Sequence, residues 1–468
     1  MLTNIELKNF KCFKDSGNIE IKPLTLLCGV NSSGKSSIIK SLLTLKQSYE
    51  SAGDKIGLVL NGKYVVNGNS KEVSHNQNAY NIISINNEFV LSGTQQFERR
   101  SSDEIRAFKN ISKLYPKYRD IVRIKIKISN EVVCEGNDCL IKTFSYLITV
   151  EYKNNIIQTS IIFNRGQKWK IDLSNFPNDG NLINISFTEA TCYFEGYRVV
   201  NIFSKTLTND VDNTKLFNSL YTIFRYSGNL YRNIKYLTPL RVYPERMYLN
   251  NFDIDDVGLS GEYTTQYLNR FQMKDASKRG FLPNETKAKA LKSYVNLWLK
   301  YFGMQPYSIP DTASDAFKLN MSQDNVINVG FGVSQVLPII VKGLNMYQSD
   351  TLLLEQPEIH LHPRAQMSMG DFLVGMANAG KGVIAETHSD HIINRVVRRI
   401  MDGTIDKRLV SIYFIENMNN RAEIIPVQVD SIRGITNAPM EFFTQFASES
   451  SEIFKVGMEN LRKRNENE

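Results

Sequence analysis

Hydrophobic and polar residues alternate with two different periods along the first part of the chain. Apolar residues at every second position near 5–7 and 19–21 predict short strands. The continuous apolar run Leu24–Cys28 predicts a buried central strand that ends at Gly29. Between residues 36 and 47 the apolar positions recur at helical spacing. The pattern therefore predicts a strand, a loop rich in glycine and serine, and then a helix.

The pattern changes twice further along the chain. Short β-type runs between Asn, Gly, Asp and Lys turns are followed by a mixed, helical stretch, and alternation of helix and apolar strand then returns. Residues 351–354 and 382–385 are candidate parallel strands. No heptad repeat is sustained over several turns, so we expect no long coiled coil. We predict an α/β chain with an N-terminal lobe at 1–69, a β-rich insertion at 70–205, a mixed helical region at 206–320 and a C-terminal lobe at 321–468.

The composition of the 468 residues is that of a globular protein. Hydrophobic residues make up 42% and charged residues 22%, which excludes a disordered or collagen-like chain. No apolar run approaches the roughly 18 residues that a membrane span needs, and the first residues lack the features of a secretory signal. We therefore expect no membrane partner and a cytoplasmic location. The formal charge of +8 is compatible with DNA binding but is only a weak indication of it.

Cysteine and histidine spacing gives little support for a disulfide framework or a metal centre. The chain has five cysteines, an odd and sparse set, so we expect Cys134 and Cys139 to be buried thiols or a local feature of a strand. No second Cys or His pair lies near them in the sequence, which argues against zinc. His360 and His362 would place both rings on one side of an extended chain, but no third ligand is evident.

One loop fits the phosphate-binding P-loop pattern in full: residues 29–36 read Gly-Val-Asn-Ser-Ser-Gly-Lys-Ser. Glycines let the backbone curl so that its N–H groups point at phosphate oxygens, and the N-terminus of the next helix adds its dipole. Lys35 would supply a positive charge to the β and γ phosphates, and Ser36 a hydroxyl to Mg²⁺. The loop therefore predicts binding of ATP and Mg²⁺. The predicted nucleotide-binding residues here are Gly29, Asn31, Ser32, Ser33, Gly34, Lys35, Ser36 and Ser37.

A P-loop site needs an acidic residue at the end of another apolar strand to hold the metal. Glu355 ends such a run and is the candidate ligand of Mg²⁺ through water, so the predicted metal residues are Ser36 and Glu355. Gln356 and Glu358 follow, where an attacking water must be polarised. His388 comes after a further apolar strand and would reach the γ-phosphate.

The order of the motifs points to a family. The P-loop is followed by Val-Gly-Phe-Gly-Val-Ser-Gln-Val-Leu-Pro at 329–338, Leu-Glu-Gln-Pro-Glu-Ile-His-Leu-His-Pro at 354–363 and Glu-Thr-His-Ser at 386–389. This series closely resembles that of ABC-type ATPases of the OLD/RecF class (AAA15/AAA21-like), relatives of the heads of structural-maintenance-of-chromosomes (SMC) proteins. The resemblance extends from residue 1 to about 400, with the β-rich insertion outside its reach.

The resemblance implies an ABC-type P-loop ATPase head that dimerises. Two ATP molecules would lie between the P-loop of one subunit and the signature segment of the other. Gly330, Gly332, Ser334 and Gln335 would approach the partner's γ-phosphate from a helix N-terminus. The segment departs from the usual Leu-Ser-Gly-Gly pattern, which leaves open whether Gly330 or Ser334 takes the place of the signature serine.

A second departure concerns the catalytic acid. Gln356 stands where most ABC ATPases carry the catalytic glutamate, and an amide can orient water but cannot accept its proton. Either Glu358 serves as the base, or hydrolysis is slow and ATP acts as a persistent clamp. We expect hydrolysis with Glu358 assisting, so Glu358, Gln356 and His388 form the predicted catalytic set.

The resemblance also implies what the ATPase serves. The motif series resembles ATPase subunits of bacterial anti-phage systems such as Septu, Gabija and PARIS, which implies a homodimer or higher homo-oligomer that controls a separate effector nuclease. Many OLD-class proteins add a Toprim nuclease, but no Asp-x-Asp pair follows His388, so we expect no nuclease in this chain. The alternatives are a RecF-like clamp on DNA and an ATP-held scaffold with little hydrolysis. The β-rich insertion disfavours a transporter subunit.

Overall fold

The computed structural model describes most of the chain up to residue 437. In the described ranges the strands form two large sheets and several short ribbons. No helix in these ranges is both long enough and apolar enough to cross a membrane. The described ranges are 1–51, 57–78, 82–92, 102–135, 138–166, 168–178, 181–195, 198–203, 213–250, 253–282, 288–310, 315–418 and 421–437.

Strands occur throughout the described chain, and the long ones lie in its first half. They are β1 (Leu2–Phe10), β2 (Phe13–Glu20), β3 (Leu24–Cys28), β4 (Gly57–Leu58), β5 (Ile82–Ser92), β6 (Ile121–Glu135), β7 (Asp138–Tyr152), β8 (Ile156–Arg165), β9 (Trp169–Asn178), β10 (Asn181–Glu195), β11 (Arg198–Phe203), β12 (Ile234–Leu237), β13 (Tyr248–Leu249), β14 (Tyr307–Ser308), β15 (Ala316–Phe317), β16 (Asn320–Met321), β17 (Asp324–Asn325), β18 (Thr351–Glu355), β19 (Gly382–Glu386), β20 (Val410–Met418), β21 (Arg421–Val427), β22 (Val429–Asp430) and β23 (Gly434–Ile435).

Helices occur in both halves of the described chain. The longest helix in the described ranges has 17 residues, so these ranges contain no long coiled coil. The helices are α1 (Lys35–Glu50), α2 (Ser70–Val73), α3 (Ser102–Ser112), α4 (Asn213–Asn229), α5 (Thr264–Phe271), α6 (Leu291–Tyr301), α7 (Gly332–Asn345), α8 (Pro363–Asn378) and α9 (Asp390–Met401).

The first large sheet is mostly parallel, in the order β12-β18-β19-β3-β20-β21, and only β21 runs antiparallel to its neighbour. Its central strands β3, β18 and β19 are buried on both faces. Leu27 and Leu353 belong to the core around α1, whereas Leu26 and Leu352 belong to the core around α7, α8 and α9. Double-sided burial explains why these strands are continuous apolar runs rather than alternating ones. The predicted strand before the P-loop, the helix after it and the parallel pair β18 and β19 are confirmed.

The second large sheet is antiparallel, in the order β11-β10-β9-β8-β7-β6-β5-β1-β2, with β4 paired to β7. It contains the strands of the predicted β-rich region at 70–205. It also contains β1 and β2, because β1 pairs with β5. The predicted boundary between residues 69 and 70 therefore crosses one continuous sheet. Alternate residues of these strands face the core, as a sheet with one covered face requires.

Of the two alternatives expected for Cys134 and Cys139, buried thiols are wrong, since the two residues form a disulfide. The other alternative, a local feature of a strand, holds, because the bridge joins the neighbouring strands β6 and β7. The two cysteines are directly opposite each other in the β6–β7 pair, with their Cα atoms 4.0 Å apart. Residues directly opposite each other on neighbouring antiparallel strands are close enough for their sulfur atoms to bond. The disulfide depends on the register of the β6–β7 hairpin, which the spacing of the two cysteines in the sequence does not reveal. Cys12, Cys28 and Cys192 are free.

Lys381, just before β19, ties the parallel sheet to the C-terminus of α7. It is 1% exposed, and its ammonium donates hydrogen bonds to the carbonyl oxygens of Arg279, Gly343 and Leu344 at 2.7, 2.6 and 3.1 Å. If the ammonium group is removed, these three carbonyl oxygens lose a hydrogen-bond donor.

We therefore expect Lys381→Met to lower the free energy of unfolding by about 3 kcal/mol, because each buried unsatisfied carbonyl costs about 1 kcal/mol or more. Urea unfolding measures this change. Lys407→Met, at an exposed position, is the control and should leave the free energy of unfolding within about 0.5 kcal/mol of the wild-type value. Equal unfolding midpoints for the two variants would contradict the role of Lys381.

Candidate functional site

The P-loop joins β3 to α1 and depends on two glycines. Gly29 follows the buried strand with φ of +137°, and a Cβ there would lie 2.2 Å from the carbonyl oxygen of Ile415. Gly34 precedes α1 with φ of +113°, and a Cβ there would lie 2.5 Å from Cys12 Sγ. Only glycine fits both positions, so these two residues determine where the loop begins and where the helix starts.

Lys35, the first residue of α1, points back into the loop. Its ammonium donates hydrogen bonds to the carbonyl oxygens of Gly29 at 3.0 Å and Val30 at 2.6 Å, and the residue is 2% exposed. Burial lowers the pKa of Lys35, while the charges of Glu386 and Glu358 act to raise it. Charge-assisted bonds to phosphate are stronger than bonds to neutral carbonyls. Lys35 is therefore well placed to bind a phosphate group.

A cavity of about 970 Å³ lies over the P-loop. Four residues at or near the ends of other strands meet the loop there: Gln356 after β18, Glu386 at the end of β19, His388 two residues further on and Asn417 near the end of β20. They converge because β18, β19, β3 and β20 are parallel neighbours, so their carboxyl ends share one edge of the sheet. The P-loop residues that line the cavity are Asn31, Ser32, Ser33, Gly34, Lys35, Ser36 and Ser37.

Glu386 is the acidic side chain nearest to the predicted metal serine, and sequence reasoning did not single it out. Ser36 Oγ donates a hydrogen bond to Glu386 Oε1 at 3.0 Å. Glu386 is 5% exposed, and its Oε2 has no hydrogen-bond partner among the residues that the structure describes. Burial raises the pKa of this carboxyl group. The one available sequence signal was that a second apolar run also ends in glutamate.

Glu355, the predicted metal residue, has a different partner and does not line the cavity. Its Oε1 accepts a hydrogen bond from the Tyr236 hydroxyl at 2.5 Å. Arg241, 3% exposed, donates to the backbone carbonyl oxygens of Glu355 at 3.0 Å and Gln356 at 3.3 Å. Burial raises the pKa of Glu355. Tyr236 and Arg241 therefore fix the end of β18 from the side away from the P-loop.

Glu358 is fully engaged by the segment after β19. Its Oε1 accepts a hydrogen bond from the backbone N–H of His388 at 2.7 Å, and its Oε2 accepts one from Thr387 Oγ1 at 2.9 Å. Burial raises the pKa of Glu358, and these two hydrogen bonds act in the opposite direction. Glu358 does not line the cavity. In this arrangement the carboxylate holds the His388 segment in place.

Gln356 and His388 are the predicted catalytic residues that reach the cavity. Gln356 has a left-handed φ of 44°, and its backbone N–H donates to the carbonyl oxygen of Glu386 at 2.8 Å, which ties the ends of β18 and β19 together. The His388 side chain is exposed to the cavity. Partial burial and the charge of Lys35 lower its pKa, so the imidazole is neutral at neutral pH and can both donate and accept.

The predicted signature residues occupy the start of α7, and in the described part of the chain none of them lines the cavity over the P-loop. Gly330 is exposed, and Ser334 Oγ donates to the carbonyl oxygen of Phe331 at 2.7 Å. Gln335 is 1% exposed, so its side chain points into the protein and has no access to a ligand outside it. Gly332 lies beside the carbonyl oxygen of His360.

The two histidines of the motif after β18 have structural contacts. His362 Nδ1 accepts a hydrogen bond from the backbone N–H of Arg364 and caps α8, while the His360 ring packs edge-on against Phe331 at 4.9 Å. No group of three or more His, Cys, Asp or Glu side chains in the described ranges is placed to hold a metal by itself. A magnesium ion in a P-loop site does not need one, because phosphate and water oxygens supply most of its ligands.

The residues around the cavity fit ATP and Mg²⁺. Lys35 and the N-terminal amides of α1 offer positive charge to phosphate oxygens. The Ser36 hydroxyl directs its proton to Glu386, so the lone pairs of the serine oxygen are free for a cation. Glu386 Oε2, which has no partner in the described part of the chain, is a buried acceptor that a hydrated cation would satisfy.

Comparison with known proteins identifies a family for this chain. The family profile described as "AAA ATPase domain" (AAA_15) matches residues 1–393. No curated protein matches the chain. Among solved structures, matches include an SMC head bound to the C-winged helix domain of ScpA (11% identity, 92% of this chain and 98% of that chain, TM-score 0.40). Another is the SMC head domain from Thermotoga maritima (11% identity, 92% of this chain and 99% of that chain, TM-score 0.37). A third is an Smc head domain with an extended coiled coil, bound to the C-terminal domain of ScpA, from Pyrococcus furiosus (12% identity, 91% of this chain and 96% of that chain, TM-score 0.38).

The family match includes the P-loop, the end of β18 and the segment that carries His388. The parallel sheet with these motifs at one edge, the attached antiparallel sheet and the helical subregion form the α/β fold of an ABC-type P-loop ATPase head. The chain belongs to the AAA ATPase domain family.

Proposed function

We propose that this protein is a switch that binds ATP with Mg²⁺, hydrolyses it to ADP and phosphate, and dimerises through composite nucleotide sites. The observation that carries the proposal is the cavity where the P-loop meets Gln356, Glu386 and His388. Membership of the AAA ATPase domain family supports ATP as the nucleotide. The dimer is proposed because the signature residues of the same chain lie outside this cavity.

The motif residues at the cavity have parts in binding and orientation. Lys35 and the loop amides neutralise the phosphate charge, and Ser36 presents its oxygen to the metal. Gln356 orients the attacking water, and the ring of His388 donates a hydrogen bond toward the terminal phosphate. When bound, Mg²⁺ polarises the phosphoryl oxygens and neutralises charge that develops on the leaving group. Because phosphoryl transfer depends mostly on positioning and charge, such a site can work without a strong base.

Glu358 assists in this proposal by holding His388. We expect Glu358→Ala to leave ATP affinity within about twofold and to lower kcat about 10- to 100-fold, because the His388 segment loses both hydrogen bonds. Glu358→Gln keeps a carbonyl oxygen that can accept from the His388 N–H. We expect it to retain kcat within about fivefold. Phosphate release under saturating ATP measures kcat for both variants. An equally large loss of kcat in Glu358→Gln would instead identify Glu358 as a base.

A second copy of the chain is the proposed source of the missing signature segment. An exposed aromatic side chain lies next to the signature segment: Tyr243 is 75% exposed, and its ring lies 4.6 Å from that of Phe331, the neighbour of Gly330 in the chain. Leu240, three residues before Tyr243, is also 70% exposed. Exposed apolar groups next to a site that needs a partner are typical of an interface. We propose a homodimer, or a higher homo-oligomer built from such dimers.

The proposed effector is a separate nuclease, and the proposed setting is bacterial anti-phage defence in the cytoplasm. Support comes from the resemblance of the motif series to ATPase subunits of Septu, Gabija and PARIS. ATP-gated assembly would hold or release the nuclease. In bacteria that carry the native locus, Lys35→Ala should abolish protection against phage if the switch controls the effector.

An ATP-held scaffold with little hydrolysis is the second candidate. It is favoured by Gln356 in place of an acid and by the two hydrogen bonds that occupy Glu358. Phosphate release by the purified chain, measured with and without MgCl₂, separates the two. Magnesium-dependent turnover supports the hydrolysing switch, whereas tight ATP binding without turnover supports the scaffold.

A further inference from the structure

We infer that Glu386, and not Glu355, is the carboxylate that holds Mg²⁺ together with Ser36, an assignment that rests on the ATP site proposed above. Glu386 ends β19, the strand between β18 and the P-loop strand β3. The assignment places the metal acid on the strand next to the P-loop.

The hydrogen bond of Ser36 is the first observation. Its hydroxyl donates to Glu386 Oε1 at 3.0 Å. A serine hydroxyl has one proton and two lone pairs, so a proton directed to the carboxylate leaves the lone pairs for a cation. Glu355 has a different hydrogen-bond partner, since its Oε1 accepts from the Tyr236 hydroxyl.

The second oxygen of Glu386 is the other observation. Glu386 is 5% exposed, yet it lines the cavity over the P-loop, and its Oε2 has no hydrogen-bond partner in the described part of the chain. A buried carboxylate oxygen without a donor is costly unless a cation or its water satisfies it. The ammonium of Lys35 is already bonded to the carbonyl oxygens of Gly29 and Val30. A hydrated Mg²⁺ in the cavity is the group that satisfies Oε2.

Strand order strengthens the assignment. Glu355 and Glu386 are opposite each other in the β18–β19 pair, and Glu386 is opposite Leu27 in the β19–β3 pair. Neighbouring strands lie about 4.8 Å apart, so the Glu386 backbone is about 5 Å from the P-loop strand and the Glu355 backbone about 10 Å. Both glutamates have side chains of the same length. Glu386, on the strand nearer to the P-loop, is therefore the one that forms a hydrogen bond with Ser36.

The matched pair Glu386→Gln and Glu355→Gln tests this assignment. Both variants remove one charge from the same register position and keep the side-chain shape. The full chain is titrated with the fluorescent analogue mant-ATP, without metal and then over a series of MgCl₂ concentrations. We expect Glu386→Gln to keep the metal-free affinity and to need about 10- to 100-fold more Mg²⁺ for half of the magnesium effect. The shift in Glu355→Gln should be smaller.

The outcomes separate this inference from the proposed function. Normal mant-ATP binding with an unshifted magnesium titration in Glu386→Gln overturns the inference alone, as does a larger shift in Glu355→Gln. Failure of the wild-type chain to bind mant-ATP overturns the proposed function together with the inference. If Glu386→Gln also loses its metal-free affinity, Glu386→Asp takes its place, because it keeps the charge and shortens the reach. An unshifted titration in that variant again overturns the inference.

Discussion

Replacing Lys35 with alanine is expected to weaken ATP binding about 100-fold. The lysine ammonium is buried in the P-loop, and its hydrogen-bond partners in the described ranges are neutral oxygens, those of Gly29, Val30 and Ser33. In the nucleotide complex it would form charge-assisted hydrogen bonds to phosphate, each worth about 1.5–3 kcal/mol. Losing about 3 kcal/mol corresponds to about two orders of magnitude in Kd. Titration with mant-ATP measures the change.

Lys14→Ala is the control for this prediction, because Lys14 is an exposed cation on β2. It removes the same charge from the chain and should leave ATP affinity within about twofold, as expected for a screened surface charge. Unchanged ATP affinity in Lys35→Ala would contradict the assignment of residues 29–36 as a phosphate-binding loop.

Gly330→Glu is expected to abolish the ATP-dependent dimer and to reduce turnover at least about 100-fold. Gly330 is exposed, and a Cβ built on it meets no atom within 4 Å, so the substitution does not disturb the fold of a single chain. In the proposed dimer the new carboxylate faces the triphosphate of the other copy. Like charges repel there, and a group supplied in trans to the phosphate is worth a large factor in rate. Phosphate release and light-scattering mass measure the two effects.

Gln323→Glu provides the charge-matched control for Gly330→Glu. Gln323 is exposed in the turn between β16 and β17, so the same charge is added at another exposed position. Both variants should keep the mant-ATP affinity of the wild type, because the P-loop is unchanged. Full turnover and a dimer in Gly330→Glu would show that the start of α7 does not complete a partner's site.

The elements that the sequence predicted well are those in which local pattern and tertiary environment agree. β3, β18 and β19 are buried on both faces, so their continuous apolar runs are unambiguous, and α1 follows a loop whose glycines mark its start. The pairing of strands that are far apart in the sequence was harder to predict. That β1 lies beside β5 depends on sheet order, which the hydrophobic pattern of either strand does not contain.

In the candidate site, too, the residues in local motifs were predicted, and the contacts between distant residues were not. The P-loop, Gln356 and His388 were found from motifs and reach one cavity. The partners of the acidic residues were not predictable, because Glu355 is bonded to a tyrosine 119 positions away and Ser36 to a glutamate 350 positions away. Only the order of β18, β19 and β3 shows that Glu386 lies nearest to the P-loop serine.

The light-scattering mass of the purified chain, measured without nucleotide, with ATP and Mg²⁺, and with ADP, tests the composite-site account most directly. Each chain has a mass of 53.5 kDa. The account predicts a mass of at least twice this value with ATP and Mg²⁺, and a smaller species with ADP, because the signature segment must come from another copy. A mass of 53.5 kDa in every nucleotide state, while ATP is still hydrolysed, would contradict it.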